Sequence, residues 1–338
     1  MNNKLSRRDF IRITAIGAGA LAVGGIALKE LLTEPEVKAY TETRALLGTF
    51  ITIKVADTSE ARAQQLVRDT FDEISRLSTI FSRFDPASQL YSLNHSGSIS
   101  SASNELVDVM QKAVYYSELT GGAFDVTVLP MLELNRESFM NNNAPPAADD
   151  LSRVKSLVDY RGISINGRDI TLGTSGAGIT LDSIAKGYIV DMAAGLLKDK
   201  GCDSVLVEAG GDMSLSGSSQ DGDPWKVGVA DPRTVGDYYQ VIYSSGGAIA
   251  TSGDYEAAFS NDYRYHHIID PRLGLSPAGL SSVTVLAGNA TMADAMATAC
   301  MVMGQDESLA FIAGLSGTEV LLIDKQLNSY RSGGFPAA

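Results

Sequence analysis

The sequence predicts an α+β fold of largely antiparallel sheets with packed helices, in one domain over residues 40–338. Three observations carry this. Short apolar or alternating runs follow one another through turn residues, which favours antiparallel neighbours. Helical segments interrupt them irregularly, not as a regular βαβ alternation. No short-period repeat or composition break divides the 338 residues, a length that buries one large core.

The N-terminus comes first. "SRRDFIR" (6–12) sets Arg7 and Arg8 ahead of the apolar run "ITAIGAGALAVGGIAL". Twin arginines before such a run read as a Tat export signal. The alternative is a retained N-terminal anchor, although about 16 glycine-rich residues are short for a bilayer span. "VKA" (37–39) offers a cleavage site, and the segment has no cysteine for a lipid anchor. Residues 1–39 are therefore expected to be a signal segment. The protein is expected to work in the periplasm or on the outer face of the cytoplasmic membrane.

"FITIKVA" (50–56) alternates like a strand. A helix is expected from about Ser59 to Phe81, with Val67, Phe71, Ile74 and Leu77 on one side. Asn104 is placed to cap a second helix that runs to Ser117, and "TGGAFDVTV" (120–128) breaks it. Residues 135–150, polar with two prolines and a run of asparagines, read as a surface loop. "GISING" and "DITLG" form a hairpin about Asn166-Gly167. A helix from about Ser183 to Lys200 stops at Gly201, and "SVLVEAGG" (204–211) is a buried strand ending in a glycine pair. "DYYQVIYSS", "GAIATSG", "SSVTVLAG" and "EVLLID" supply further strands. A helix over 291–303 ends at Gly304.

Composition narrows the function classes. Hydrophobic residues make up 44% and charged residues 20%, as in ordinary globular proteins. A net charge of −13 leaves no basic excess to neutralise a phosphate backbone, so nucleic acid is not the expected partner. Cys202 and Cys300 are far apart and outside any zinc-type spacing. Cys300 falls on an apolar stripe and reads as core, and the sequence leaves a disulfide between the two open.

Four stretches carry chemistry. In "TLDSIAKGYIVDMAAGLL" (180–197), Asp182 or Ser183 is placed to cap a helix whose first-turn N–H groups, with Lys186, suit a phosphate. The ordinary reading is a capped surface helix. In "VEAGGDMSLSG" (207–217), Gly210-Gly211 lets a ligand approach the backbone, or simply makes a turn. "ATSGDYEAAF" (250–259) and "YHHIIDPRLG" (265–274) gather Asp254, Asp270 and two of the three histidines. His266 and His267 point to opposite sides of an extended chain, so one faces any pocket. Finally, "TMADAMATAC" (291–300) has a buried stripe of Met292, Ala295, Met296, Ala299 and Cys300. Asp294 sits beside it, and Thr298 lies one turn on. A first-turn aspartate matched to the helix dipole is the ordinary reading. The alternative is part of a Mg²⁺ shell, one carboxylate and one hydroxyl, which a substrate phosphate completes.

In this order the stretches resemble the ApbE-type FAD:protein FMN transferases. The matching segments are "LLGTF" (46–50), "FSRFDPASQLYSLN" (81–94), "TGGAFDVTV", "LDSIAKGYIVD" (181–191), "EAGGDMSLSG" (208–217), "ATSGDY", "YHHIIDPRLG" and "TMADAMATA". The resemblance implies an ApbE-like, T-fold-related single catalytic domain. It implies that Mg²⁺ helps cleave the FAD pyrophosphate, that FMN passes to a threonine hydroxyl of an acceptor protein, and that AMP leaves. Acceptors would be redox-pump subunits or extracytoplasmic FMN-binding domains with a motif like Asp-x-x-Ser/Thr-Gly-Ala-Thr.

Carried onto this chain, the resemblance makes Asp294 and Thr298 metal ligands, with a backbone carbonyl from Ser183 as the third. His267 matches the catalytic histidine, and Phe84 the aromatic beside the flavin. Gly48, Thr49, Ala123, Phe124, Asp125, Lys186, Gly210, Gly211, Ser252, Gly253 and Asp254 belong to segments lining the FAD site. There are departures. Phe84 replaces the usual tyrosine, Gln89 and Asp212 replace glutamates, and "MLELNRESF" (131–139) follows "VLP" where Trp-Gly-Phe-Gly is common. "TSGAG" (174–178) resembles part of an acceptor motif, but Gly178 stands at the modified position, so it reads as a turn. An exported FAD pyrophosphatase and a non-catalytic flavin-binding protein are the competing functions.

Overall fold

A computed structural model describes residues 38–219 and 221–337. The twin-arginine segment lies outside the described residues.

The frame is an eight-stranded sheet in which every neighbouring pair is antiparallel. Its strands are β1 (Lys38–Leu46), β2 (Thr49–Asp57), β6 (Ser204–Ala209), β7 (Asp212–Ser216), β10 (Gly246–Gly253), β11 (Leu280–Ala287), β12 (Glu319–Asp324) and β13 (Ser329–Arg331), in that spatial order. The hairpin β4 (Ile163–Asn166) and β5 (Asp169–Leu172) turns where Asn166-Gly167 predicts, and the short β3 (Ser98–Ile99) joins it. A separate ribbon pairs β8 (Trp225–Ala230) with β9 (Tyr238–Ser244).

Strand alternation sorts the core into layers. Val205 and Val207 of β6 face the helices, with Ala248 and Ala250 of β10. Leu206 and Ile249, one residue out of phase, meet Trp225 and Val227 of the ribbon. The sheet is therefore covered on both faces, by helices on one and by the β8–β9 ribbon on the other.

The helix layer is built on α1 (Glu60–Phe81), α3 (Asn104–Leu119), α6 (Ala185–Asp199) and α7 (Ala290–Met303), with α2 (Gln89–Ser96), α4 (Leu129–Asn142), α5 (Ala148–Lys155) and α8 (Gln305–Ala313) around them. Ser59 caps α1, and Val67, Phe71, Ile74 and Leu77 are buried as their spacing predicts. Both cysteines are buried and free.

Three expectations need correction. Ser103, not Asn104, caps α3, because its hydroxyl reaches the Leu106 N–H at 3.1 Å. Neither Asp182 nor Ser183 caps α6; Ile184 is the cap residue and offers no side-chain bond. Residues 135–142 are not loop but the second half of α4, which Pro130 opens and left-handed Asn143 closes. Leu132, Asn135 and Phe139 are buried at helical spacing, a signal that the neighbouring asparagines mask.

Two helices cross with backbone in contact. A Cβ on Gly187 of α6 would lie 2.3 Å from the Ala290 carbonyl oxygen of α7. One turn on, Asp191 caps α7 from outside, taking the N–H groups of Ala290 at 2.7 Å and Thr291 at 2.8 Å. Gly→Ala within a helix ordinarily gains about 1 kcal/mol. Here Gly187→Ala is expected to lose about 1–3 kcal/mol, the cost of forcing packed elements apart. A lower urea midpoint at unchanged slope checks it.

Candidate active site

The crossing of α6 and α7 opens onto three adjoining cavities, and Asp182 lines all of them. The first, about 540 Å³, runs between Leu47-Gly48, the end of α1, Phe84 and the start of α6. The second, about 260 Å³, is the polar junction. It is lined by Gly48, Thr49, Gly210, Ser252 and Gly253, and also by Ser183, Lys186, Glu256, His267, Asp294 and Thr298. The third, about 190 Å³, lies past His267 and Thr298, between Ala123-Phe124-Asp125 and α4.

Backbone geometry sets the junction. Leu47 and Gly48 both take positive φ in the two-residue turn of the β1–β2 hairpin. Gly210 also has positive φ, and a Cβ there would sit 2.6 Å from Thr49 Oγ1, so the two turns meet closely. Asp294 lies beyond the first turn of α7 and is buried, which removes the simple dipole reading. Its Oδ2 accepts the Gly187 N–H at 3.2 Å. That N–H is taken away from the Ser183 carbonyl four residues back, which carries no backbone hydrogen bond among the described residues. Thr298 Oγ1 stands 3.2 Å from Ser252 Oγ. One carboxylate, two hydroxyls and one free carbonyl thus surround the junction. These are hard oxygen donors of the kind Mg²⁺ takes. Among the described residues no three His, Cys, Asp or Glu side chains converge as a metal cluster, so an ion here would rely on the one carboxylate of Asp294, on neutral oxygens and on substrate.

Electrostatics point the same way. Burial pushes the Asp294 carboxyl well above the usual range, nearby Asp212 pushes it further, and Lys186 and the Gly187 N–H offset only part. Asp212 and Glu256 are also raised by burial, against the pull of Lys186. Lys186 Nζ sits 2.9 Å from Asp212 Oδ2. Burial alone would lower the lysine, but Asp212 and Asp294 outweigh it and its pKa rises. Carboxylates outnumber this one ammonium, so a further cation would relieve the site.

His266 and His267 do face opposite ways. His266 is fully buried and structural. Its backbone N–H donates to Ser276 Oγ at 2.8 Å, and its Nε2 lies 3.2 Å from the Pro277 carbonyl and so must be the donor. His267 faces the cavities, with its buried Nδ1 unpartnered. Burial pushes its pKa down to about 4, so it is a neutral base at ordinary pH.

The other assigned residues divide. Phe84 is 67% exposed, with the Arg83 guanidinium 4.1 Å above its ring. Ala123, Phe124 and Asp125 line the third cavity, away from Phe84. Both Asp125 oxygens are already bonded, by Thr127 and the Tyr160 N–H. Gly211 lies behind Gly210 and donates its N–H to Glu208. Asp254 is a correction. Its carboxylate is fully buried, held by both Nη groups of Arg233 at 2.8 Å and by Lys325, and it lines none of the three cavities. Asp270 starts the expected turn and is paired with Arg272.

Sequence reasoning passed over Glu256, Arg83, Arg233 and Lys325, and noted Asp212 only as a departure. No local motif marks them, because their partners come from distant elements.

The ApbE family description matches residues 47–322. The chain belongs to the ApbE family. The FAD:protein FMN transferase of Vibrio cholerae is 31% identical over 84% of this chain and 87% of its own length. That of Treponema pallidum is 29% identical over 87% of each. Among solved structures, the ApbE protein of Thermotoga maritima superposes with a TM-score of 0.80 at 31% identity, covering 88% of this chain and 98% of that one. The flavin transferase ApbE from Vibrio cholerae gives 0.77 at 28%, with the same coverage. The α+β fold expected from the sequence is thus that of the ApbE neighbours.

Two outcomes follow for this ApbE member. Asp254→Ala leaves Arg233 and Lys325 without their buried counter-charge, and should cost about 3–5 kcal/mol in denaturant unfolding. His266, pushed down to about 4 by burial, protonates near its ordinary 6.5 only when unfolded. The unfolded chain therefore binds the extra proton between pH 6.5 and 4, so stability falls as pH falls through that window. Urea midpoints at pH 7.5 and 5.0 test this, with a smaller drop expected in His266→Gln.

Proposed function

We propose that this ApbE-family transferase moves FMN from FAD to a threonine hydroxyl of an acceptor protein, with Mg²⁺, releasing AMP. The observation that carries the reading is the junction itself. Asp294, Thr298 and Ser183, whose carbonyl takes no backbone hydrogen bond among the described residues, line the same cavity as Lys186 and the neutral His267. The names of its relatives agree with flavin transfer as the activity.

The roles follow from the chemistry. Asp294, Thr298 and the Ser183 carbonyl would hold the ion, which when bound supplies charge neutralisation at the pyrophosphate. Lys186 adds a fixed positive charge against the phosphates. Gly48, Gly210 and Gly253 let a dinucleotide lie against backbone. The open face of Phe84 offers a stacking surface for the flavin in the 540 Å³ cavity. His267 takes the proton of the attacking hydroxyl, for which a neutral imidazole is needed. Phosphoryl-type transfer asks for in-line placement and charge stabilisation more than for covalent help from protein.

The proposed acceptors are redox-pump subunits or extracytoplasmic FMN-binding domains with an Asp-x-x-Ser/Thr-Gly-Ala-Thr-like motif. Export through Tat, proposed from Arg7-Arg8, would place the enzyme beside them.

The test combines the protein without residues 1–39, FAD, Mg²⁺ and a small FMN-binding acceptor domain. In-gel flavin fluorescence on the acceptor and chromatography of AMP are read together. Both should appear, and Asp294→Ala should lower both rates by about 100-fold or more, the loss of several kcal/mol of charge stabilisation. Metal-dependent AMP with only free FMN would favour the pyrophosphatase. Intact FAD would leave a binding protein.

A further inference from the structure

The ring proposed as the flavin platform has little of its own to hold it. Phe84 is 67% exposed and makes no ring–ring contact among the described residues. It also lacks the hydroxyl of the tyrosine that the family resemblance expects, so the ring has no polar anchor. A loose ring must be ordered when a ligand stacks on it, and that ordering costs affinity. What underlies Phe84 is the residue before it. The Arg83 guanidinium carbon lies 4.1 Å from the ring centroid, within the range of a cation–π contact.

Arg83 is fixed where Phe84 is not. Its side chain is only 4% exposed. Its Nε donates to Asp182 Oδ2 at 3.1 Å, at the entry to α6, and its Nη1 lies 3.6 Å from Glu133 Oε1 on α4. One guanidinium thus joins the loop after α1, the entry to α6 and the start of α4. A planar guanidinium can stack on a ring while its edge keeps such polar partners. Two carboxylates balance its charge. It lines the 540 Å³ cavity and not the junction, so it is placed for the flavin end and not for the pyrophosphate.

Resting on the flavin-transfer reading, we propose that Arg83 is a positioning residue for the flavin half of FAD. Clamped by Asp182 and Glu133, it backs the Phe84 ring and holds it ready to stack. Its effect reaches the substrate through Phe84 alone.

Separate titrations of the full chain with FMN and with AMP, the two halves of FAD, test this in the presence of Mg²⁺. FMN is followed by its fluorescence and AMP by calorimetry. Arg83→Met keeps the length of the side chain and removes its charge and plane. It should raise the FMN Kd about 10-fold, the size of one cation–π contact shielded from water. Arg83→Lys, which keeps the charge, should recover part of the loss. The AMP Kd should stay within about twofold in both variants, which also reports a folded site. Phe84→Leu should weaken FMN by a similar factor, and Arg83→Met added to it should cost nothing more, the signature of two residues acting as one. An unchanged FMN Kd in Arg83→Met, equal losses for FMN and AMP, or purely additive effects with Phe84→Leu would overturn the assignment. An unsubstituted protein that binds AMP but neither FMN nor FAD would instead sink the flavin reading on which it rests.

Discussion

The contact between α6 and α7 at Gly187 is the constraint on which the rest of the site depends. Two helix backbones touch there, because no side chain stands between them. Asp191 fixes the register by capping α7 from α6. The Gly187 N–H then reaches Asp294, and so leaves the Ser183 carbonyl free. A single missing Cβ therefore does three things. It sets the crossing, holds a buried carboxylate and leaves a carbonyl without its helical bond. The sheet serves this crossing by carrying Ser252 to within 3.2 Å of Thr298 and by presenting the Gly48 and Gly210 turns to the same space.

Burial gives that geometry its charge. Asp294, Asp212 and Glu256 are all raised because they lie out of water near one another, with Lys186 as their shared counter-ion. Elsewhere the chain balances buried charge by pairing, as Arg233 and Lys325 do for Asp254. At the junction the balance is incomplete. In a protein of net charge −13, this local deficit of positive charge suits a divalent ion and discourages a free polyanion in its absence. The same burial keeps His267 neutral, so the charge deficit of the junction and the uncharged imidazole share one physical cause.

Long periodic elements were legible in the sequence, and residues acting through distant partners were not. The helices α1, α6 and α7 and the β4–β5 hairpin carry apolar stripes or turn residues of their own, so local pattern suffices even where, as in α6, no side chain caps the helix. Asp294 and Thr298 could be paired from their spacing because both sit on one helix. Asp254 could not be placed, because what decides its orientation is Arg233 in the β8–β9 connection and Lys325 after β12. The family resemblance of its segment puts Asp254 with Ser252 in the cleft, while a buried ion pair turns the carboxylate away from it.

The segment after Pro130 shows how composition misleads where packing decides. Its asparagines and prolines read as loop, yet Leu132, Asn135 and Phe139 keep one helix face against the body of the protein. Asn135 even spends its amide on the Gly274 carbonyl at 2.8 Å, tying α4 to the turn after the histidines. That tie holds α4 as the far wall of the cavity beyond His267. The same stretch is where this chain departs from the Trp-Gly-Phe-Gly pattern common after "VLP". Composition is a poor guide to this wall, because buried contacts and one amide bond on a single helix face outweigh the turn preference of its exposed asparagines.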